Sequence, residues 1–562
     1  MKKIEWAGTA LILAALAILF LLLNTQTYRL TPETVENTFE DSTQLEYLQP
    51  ALAEMQKKDF HSKSAFISAY KKAVGIANSN IQGVDQTGKE GDLPDSAKNK
   101  EEALQSPAED TTGDSEAVQP GLKQGKGQDT QKDVQPTIEE DHSVNLLLQS
   151  VRGPVKDHTS FYLILIVSLF ICGSLVLTYG KYGRKPAGIK NDGVFKKPLT
   201  NVKLPAIVVG VGLIVFYIVL YWFPYLLSDW ILLVNPVKHL FSSGYADENF
   251  LYGFIYTMAV LLLGIKMFIK YRHSNYQKIR TASVTFFQLS FAFIIPEILS
   301  ALKKPSVDLK NIWPLDYSFF FDSNINELIS NGKLGVFMLV WGIILLIIFV
   351  PLFTYFFGKR WYCSWVCGCG GLAETAGDSF RQLSSKKLVA WKIERIIIYS
   401  VLLISVVMTG VTLTNYFSHG NLLGSSSELF QKWYGFFIGS IFAGVIGTGL
   451  YPILGSRVWC RFGCPLAAIF GIIQRYKSRF RITTNGGQCI SCGNCSTYCE
   501  MGIDVRWYAQ RQQNIVRSSC VGCGICAEVC PRGVLKLENG KEANRINSNP
   551  IIIGNNSIEV VQ

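Results

Sequence analysis

The sequence predicts a mainly α membrane protein with about eight transmembrane helices and a small C-terminal cytoplasmic α+β domain. Three observations predict it. The 562 residues are 48% hydrophobic, and the apolar residues fall in separate runs. Each run is about 20 residues long, enough to cross a hydrocarbon layer of about 30 Å. Lys and Arg gather in alternate loops between the runs, the bias that orients membrane proteins. Thirteen of the 14 cysteines lie between Cys363 and Cys530, at and beyond the last runs. The net charge of +11 sits beside the apolar runs, so it reads as membrane topology and contact with lipid, with no nucleic-acid partner.

The first run, Glu5 to Leu23, follows Lys2 and Lys3. Its apolar core is long and Asn24–Arg29 offers no small-residue cleavage site, so residues 1–24 read as an uncleaved anchor. A polar insert occupies 25–157. Amphipathic patterns mark Thr31 to Ile76. Residues 78–142 are expected to be a disordered linker: 81–142 hold 15 acidic and 6 basic residues and no aromatic, too little apolar surface to offset chain entropy.

Further runs near 160–179, 204–226, 251–269, 281–301 and 334–357 fill a membrane region, 158–357. A loop, 358–392, precedes a helix pair, 393–456 (runs near 393–417 and 433–455). A basic segment, 457–484, leads into a cysteine-rich domain, 485–540, and a tail, 541–562. The loop after the second run carries Lys181, Arg184, Lys185, Lys190, Lys196, Lys197 and Lys203 against one Asp; that after the fourth carries Lys270, Arg272, Lys278 and Arg280. Every short loop agrees on one topology: both termini cytoplasmic and the acidic insert outside. That places the chain as a multi-pass protein of the inner (cytoplasmic) membrane. The cysteines then face a reducing compartment, where metal binding or catalysis is expected in place of disulfides. Cys172, inside a run, reads as a small packing residue.

Cys489-x2-Cys492-x2-Cys495-x3-Cys499 is followed by Cys520-x2-Cys523-x2-Cys526-x3-Cys530-Pro531. This is the spacing of two-cluster ferredoxins, in which the fourth Cys of each run ligates the other cluster. One 4Fe–4S cluster is therefore expected on Cys489, Cys492, Cys495 and Cys530, the second on Cys520, Cys523, Cys526 and Cys499. Gly493, Gly522 and Gly524 suit a tight backbone wrap. Zinc knuckles also use C-x2-C pairs, but the doubled four-Cys run favours clusters. Glu500 stands where a Pro usually follows the fourth Cys.

A second pattern, G-x-R-x-aromatic-C-x3-C, occurs twice, 97 residues apart. Gly358 to Cys367 includes Cys363 and Cys367, and Gly455 to Cys464 includes Cys460 and Cys464. On a helix, Cys at i and i+4 would share a face. The two pairs, with Cys369 as a fifth thiol, predict a third redox site at the membrane edge. It would hold a metal ion or another iron–sulfur cluster. The alternatives are a dithiol relay or buried reduced thiols. Arg360, Arg457 and Arg461 are expected to favour thiolate. Glu374 and Asp378 nearby read as helix-end charges.

On these motifs, over roughly residues 333–540, the sequence resembles the membrane polyferredoxin family that includes NosR, NapH and CcoG-type proteins. Cys460, Cys464 and Pro465 match the family's C-x3-C-P motif; in the first pair Gly368 replaces the Pro. The resemblance implies electron delivery to, or maturation of, a respiratory enzyme. No flavin-attachment motif like that of NosR relatives occurs between Thr31 and His142.

The function expected is a single-electron relay between cytoplasmic 4Fe–4S clusters and a quinone or respiratory oxidoreductase subunit, with a cytoplasmic electron donor feasible. The alternatives are a CcoG-like assembly factor that reduces copper, and a redox-sensing membrane regulator. No catalytic residue is assigned. The absence of C-x-x-C-H excludes covalent c-type haem. Glu297, within the fifth run, is an intramembrane acid and a candidate for handling a quinone proton.

Overall fold

The computed structural model describes residues 2–39, 42–87, 143–183, 187–188, 204–242, 244–305, 308–419, 424–540, 551–553 and 558–560. Two compact units emerge, Asn24–Asp157 and the remainder.

The first unit is a small helical domain. Pro32–Thr38 begins at Thr31, whose side chain accepts from the Thr34 amide. The helices Ser42–Gln56, Lys63–Thr87 and Ser143–Gln149 follow, and Thr27–Tyr28 pairs antiparallel with Val151–Arg152. Tyr28, Phe66 and Tyr70 are buried together with Leu146, Leu147 and Leu148. The helix Lys63–Thr87 continues ten residues past the expected start of the linker. The rest of the expected linker, 88–142, lies outside the described residues.

The second unit is a helical bundle with the cysteine-rich domain at one end. Among the described residues, seven helices are long and apolar enough to span a membrane: Lys3–Leu21, Thr159–Gly183, Glu248–Lys270, Asn275–Ala301, Gly332–Phe357, Leu388–Phe417 and Ser426–Ile446. The expected span 204–226 is instead a bent pair, Ala206–Trp222 and Pro224–Lys238, turned by 111°. Pro224 lacks the amide needed to continue the ladder, and the helix breaks before it. Counting the pair as one span gives eight. The Trp230 indole donates to the Leu19 carbonyl, so the second limb sits level with the far end of the first span. Lys238 on that limb pairs with Glu297 at 2.5 Å, so the intramembrane acid already has a cation partner. The last span ends near Ile446, not 455; turns at 447–450 and the short helix Tyr451–Leu454 complete the expected stretch. Cys172 faces outward from its helix and is not packed inside the unit.

The C-terminal domain is α+β, as expected. Arg481–Thr484 pairs antiparallel with Leu535–Glu538, closing the ends of the domain on each other. Three short helices, Asn494–Thr497, Val505–Gln510 and Ile525–Glu528, lie between.

Candidate iron–sulfur sites

The two four-Cys runs fold alike. Gly493 and Gly524 both have φ of +80° and start the one-turn helices that carry Cys495 and Cys526. Two residues earlier, Ser491 (φ +57°) and Gly522 (φ +63°) share a left-handed conformation. Ser is accommodated at 491 because it is exposed. At 522 a Cβ would lie 2.5 Å from Arg360 Cβ, so only glycine fits. A cavity is lined by Cys489, Cys492, Cys495 and Cys530, three sulfurs of one run and the last of the other. Cys523, Cys520 and Cys499 lie within electrostatic reach of Cys526, as does Cys495 of the other set.

The donor set tests which cofactor these residues fit: two four-Cys runs, with Cys530 of the second beside Cys489, Cys492 and Cys495 of the first, offer eight thiolates, four for each of two cubanes. Burial pushes the thiol of Cys495 up to about 12 and that of Cys520 up to about 11, so these sulfurs need a bound cation to stay ionised. Backbone amides help: Gly522 donates to the Cys520 sulfur, and Ile503 and Met501 donate to Cys499.

The repeated C-x3-C motifs also fold alike, but not as one helix face. Cys363 ends the single turn Arg360–Cys363, and the chain then bends so that the Cys367 amide donates back to the Tyr362 carbonyl at 2.8 Å. In the second copy the Cys464 amide donates to the Trp459 carbonyl at 2.9 Å. These are matching i to i−5 bonds. The second Cys of each pair is thereby extended and caps a new helix, Gly368–Thr375 or Pro465–Tyr476. The expected shared face is replaced by a turn because Pro465 belongs in a first helical turn, not in an interior. Cys363, Cys367, Cys460 and Cys464 are buried and come together with Cys369, which is partly exposed. The Cys369 thiol hydrogen-bonds the Cys367 sulfur and lowers its pKa, whereas burial raises Cys363 to about 12.

Of the three arginines expected to favour thiolate, Arg457 does so: its Nη1 lies 3.7 Å from the Cys460 sulfur. Arg461 turns away to Glu394 at 2.7 Å, and Arg360 stacks over the Phe480 ring.

The five-cysteine site and the double-run domain are one packed body. Eleven of the thirteen cysteines border a single apolar core. Side chains of the bundle hold the cluster loops by their carbonyls: Tyr276 at Gly522 (2.8 Å), Gln277 at Cys523 (2.9 Å), Ser364 at Val521 (2.6 Å) and Gln474 at Cys520 (2.8 Å).

A buried ion network that sequence reasoning missed ties this body together. Glu374 accepts from both terminal nitrogens of Arg280 at 2.6 Å, from Arg457 at 2.6 Å, and from Arg381. Asp378 accepts from Lys270 at 2.6 Å and Arg381 at 2.9 Å, with Lys266 at 3.3 Å. Glu500 accepts from Arg381 at 2.6 Å and pairs with Arg457 at 3.1 Å. Burial alone would raise the Glu374 and Asp378 pKa values. The cations around them outweigh it and hold both carboxyls well below the usual carboxylate range. Glu374 and Asp378 are therefore core anchors, not helix-end charges.

Comparison with known proteins agrees with this geometry. The 4Fe-4S dicluster domain family matches residues 488–535, and the 4Fe-4S binding domain family matches 338–388 and 424–483, which contain both C-x3-C motifs. The chain is similar in sequence to ferredoxin-type electron transport proteins. YccM of Escherichia coli, named for electron transport, is 28% identical over 26% of this chain and 43% of its own length. The methylamine utilization ferredoxin-type protein MauN of Methylobacillus flagellatus is 28% identical over 26% of this chain and 50% of its own. The ferredoxin-type protein NapH of Escherichia coli is 25% identical over 25% and 48%. The chain thus spans about half the length of the relatives it matches. No solved structure matches it. It is a multi-pass membrane protein with 4Fe–4S domains near its C-terminus.

Proposed function

We propose that the chain relays single electrons between cytoplasmic 4Fe–4S clusters and a quinone or a membrane or extracytoplasmic respiratory partner. Two clusters are assigned, one to Cys489, Cys492, Cys495 and Cys530, the other to Cys520, Cys523, Cys526 and Cys499. A third centre, a metal ion or another cluster, is assigned to Cys363, Cys367, Cys460 and Cys464, with Cys369 adjacent. Bound there, such groups supply reversible one-electron chemistry.

The protein supplies position and environment. The Tyr276, Gln277, Ser364 and Gln474 bonds fix the cluster loops on the bundle, and the shared apolar core buries Cys363, Cys367, Cys464, Cys495, Cys520 and Cys526. The observation that carries the reading is the close packing of the five-cysteine site on the double-run domain, with Ser364 beside Cys363 bonded to Val521 beside Cys520. The basic loops support an inner-membrane location with both termini cytoplasmic and the insert outside.

The test is Cys523→Ser in the full-length protein, purified without oxygen. We expect the loss of about half the iron of the double-run domain, roughly four of eight atoms, and a fall in electron flux through the membrane. Unchanged iron would overturn the ligand assignment.

A further inference from the structure

The buried charges around the cysteines are unevenly placed. Arg457 uses both ends of its guanidinium. Nη1 reaches the Cys460 sulfur at 3.7 Å and the Cys363 carbonyl at 3.2 Å, while Nη2 holds Glu374 and Glu500. Lys359, fully buried four residues before Cys363, lies between the two sides and acts on Cys363 and Cys520 alike, so it does not set them apart. At the Cys523 sulfur the nearest charges are anionic: carboxylate oxygens of Glu374 and Glu500 both lie within 4.8 Å of it and of each other, and these carboxylates are paired in turn with Arg280 and Arg381. Arg457, Glu500 and Cys460 are sealed from solvent. Fixed charges in such a site act with little screening.

Reducing a centre adds one negative charge to it. A neighbouring cation favours the reduced form, and a neighbouring carboxylate opposes it. We propose that Arg457 and Glu500 are positioning residues that set a potential difference, drawing electrons from the centre at Cys523 toward the five-cysteine site at the membrane edge. The inference rests on the cluster assignment above and supplies the direction that the assignment leaves open. The balance is internal: the one electron lost at the Cys523 side is the electron gained at the five-cysteine side. It also gives Glu500 a role. Where ferredoxin runs usually carry Pro, a carboxylate here is locked beside the second cluster's loop by Arg381 and Arg457.

The experiment is a redox titration, read by electron paramagnetic resonance, of the full-length protein in detergent. It compares the unaltered chain with Glu500→Gln, Arg457→Gln and Arg457→Lys. Glu500→Gln keeps the side chain's shape and should raise the midpoint of the cluster ligated by Cys523. Arg457→Gln should lower the midpoint of the five-cysteine centre, and Arg457→Lys should restore most of it. A ten-fold change in the reduced-to-oxidised ratio at fixed poise, 59 mV for one electron, is the expected size for each Gln variant. Because Arg457 also holds Glu374 and Glu500, its removal lowers both midpoints, but the five-cysteine centre more. A Glu500→Gln shift no larger at the Cys523 cluster than at the five-cysteine centre, an Arg457→Gln shift no larger at the five-cysteine centre, or unmoved midpoints with the signals intact, overturns the inference and leaves the cluster assignment standing. If Arg457→Gln fails to fold, Glu500→Gln and Arg457→Lys decide the sign. An unaltered protein without cluster signals would remove the assignment, and the inference with it.

Discussion

Asp378 accepts from Lys270, Arg381 and the Tyr271 hydroxyl while sealed from water. Its folded pKa lies below that of the unfolded chain, about 3.9. The stability it contributes is therefore fully present above that value and is lost as pH falls through the folded pKa. Unfolding temperature in detergent should be flat from neutrality to about pH 5, then fall below about pH 4. Asp378→Asn should cost about 3–5 kcal/mol at neutral pH, because it leaves buried cations uncompensated, and should flatten the acid limb. An unchanged acid limb would remove Asp378 from this role. The residue was visible in the sequence, but its partners were not. Lys270 and Arg280 read naturally as loop charges that orient the chain, yet both point into the core. The usable signal was Lys266, a cation three residues inside the end of an apolar run, which requires an internal anion.

The two C-x3-C elements were legible as a repeat because a sequence pattern survives translation into geometry. Their shape was not, since i, i+4 spacing suits a helix face and a turn equally well until the following helix is known. What distinguishes them is the glycine that opens each copy. Gly358 (φ +62°, ψ −172°) and Gly455 (φ +102°, ψ +169°) end their helices in a region open essentially to glycine alone. Each lets the chain leave the span and fold the cysteines beneath it. Gly455→Ala would also bring a Cβ to 2.8 Å from the Ser384 amide nitrogen. We predict a loss of about 1–3 kcal/mol in stability, measured by thermal unfolding, whereas Gly212→Ala, with open space around it, should cost much less. Similar losses at the two glycines would refute this account of the turn. The broken third span follows the same lesson: 204–226 was apolar enough to read as one helix, and the single Pro224 redirected it.

Over the molecule, composition and cysteine spacing carried the architecture furthest. Apolar runs located the spans, with ends displaced by up to nine residues in the last one and a bend missed in the third, and the doubled four-Cys runs located the α+β domain. The folding of the insert was less legible, because buried Leu146–Leu148 lie on a helix that packs against the one carrying buried Phe66 and Tyr70, more than sixty residues earlier. Long-range packing of that kind leaves no local pattern. The account as a whole stands on iron held by the double-run domain at the base of a membrane bundle. The most direct test is iron, zinc and acid-labile sulfide per chain in the full-length protein purified anaerobically. We predict about eight irons with matching sulfide from the double-run domain, and any excess comes from the five-cysteine site. Zinc in place of iron would contradict the account.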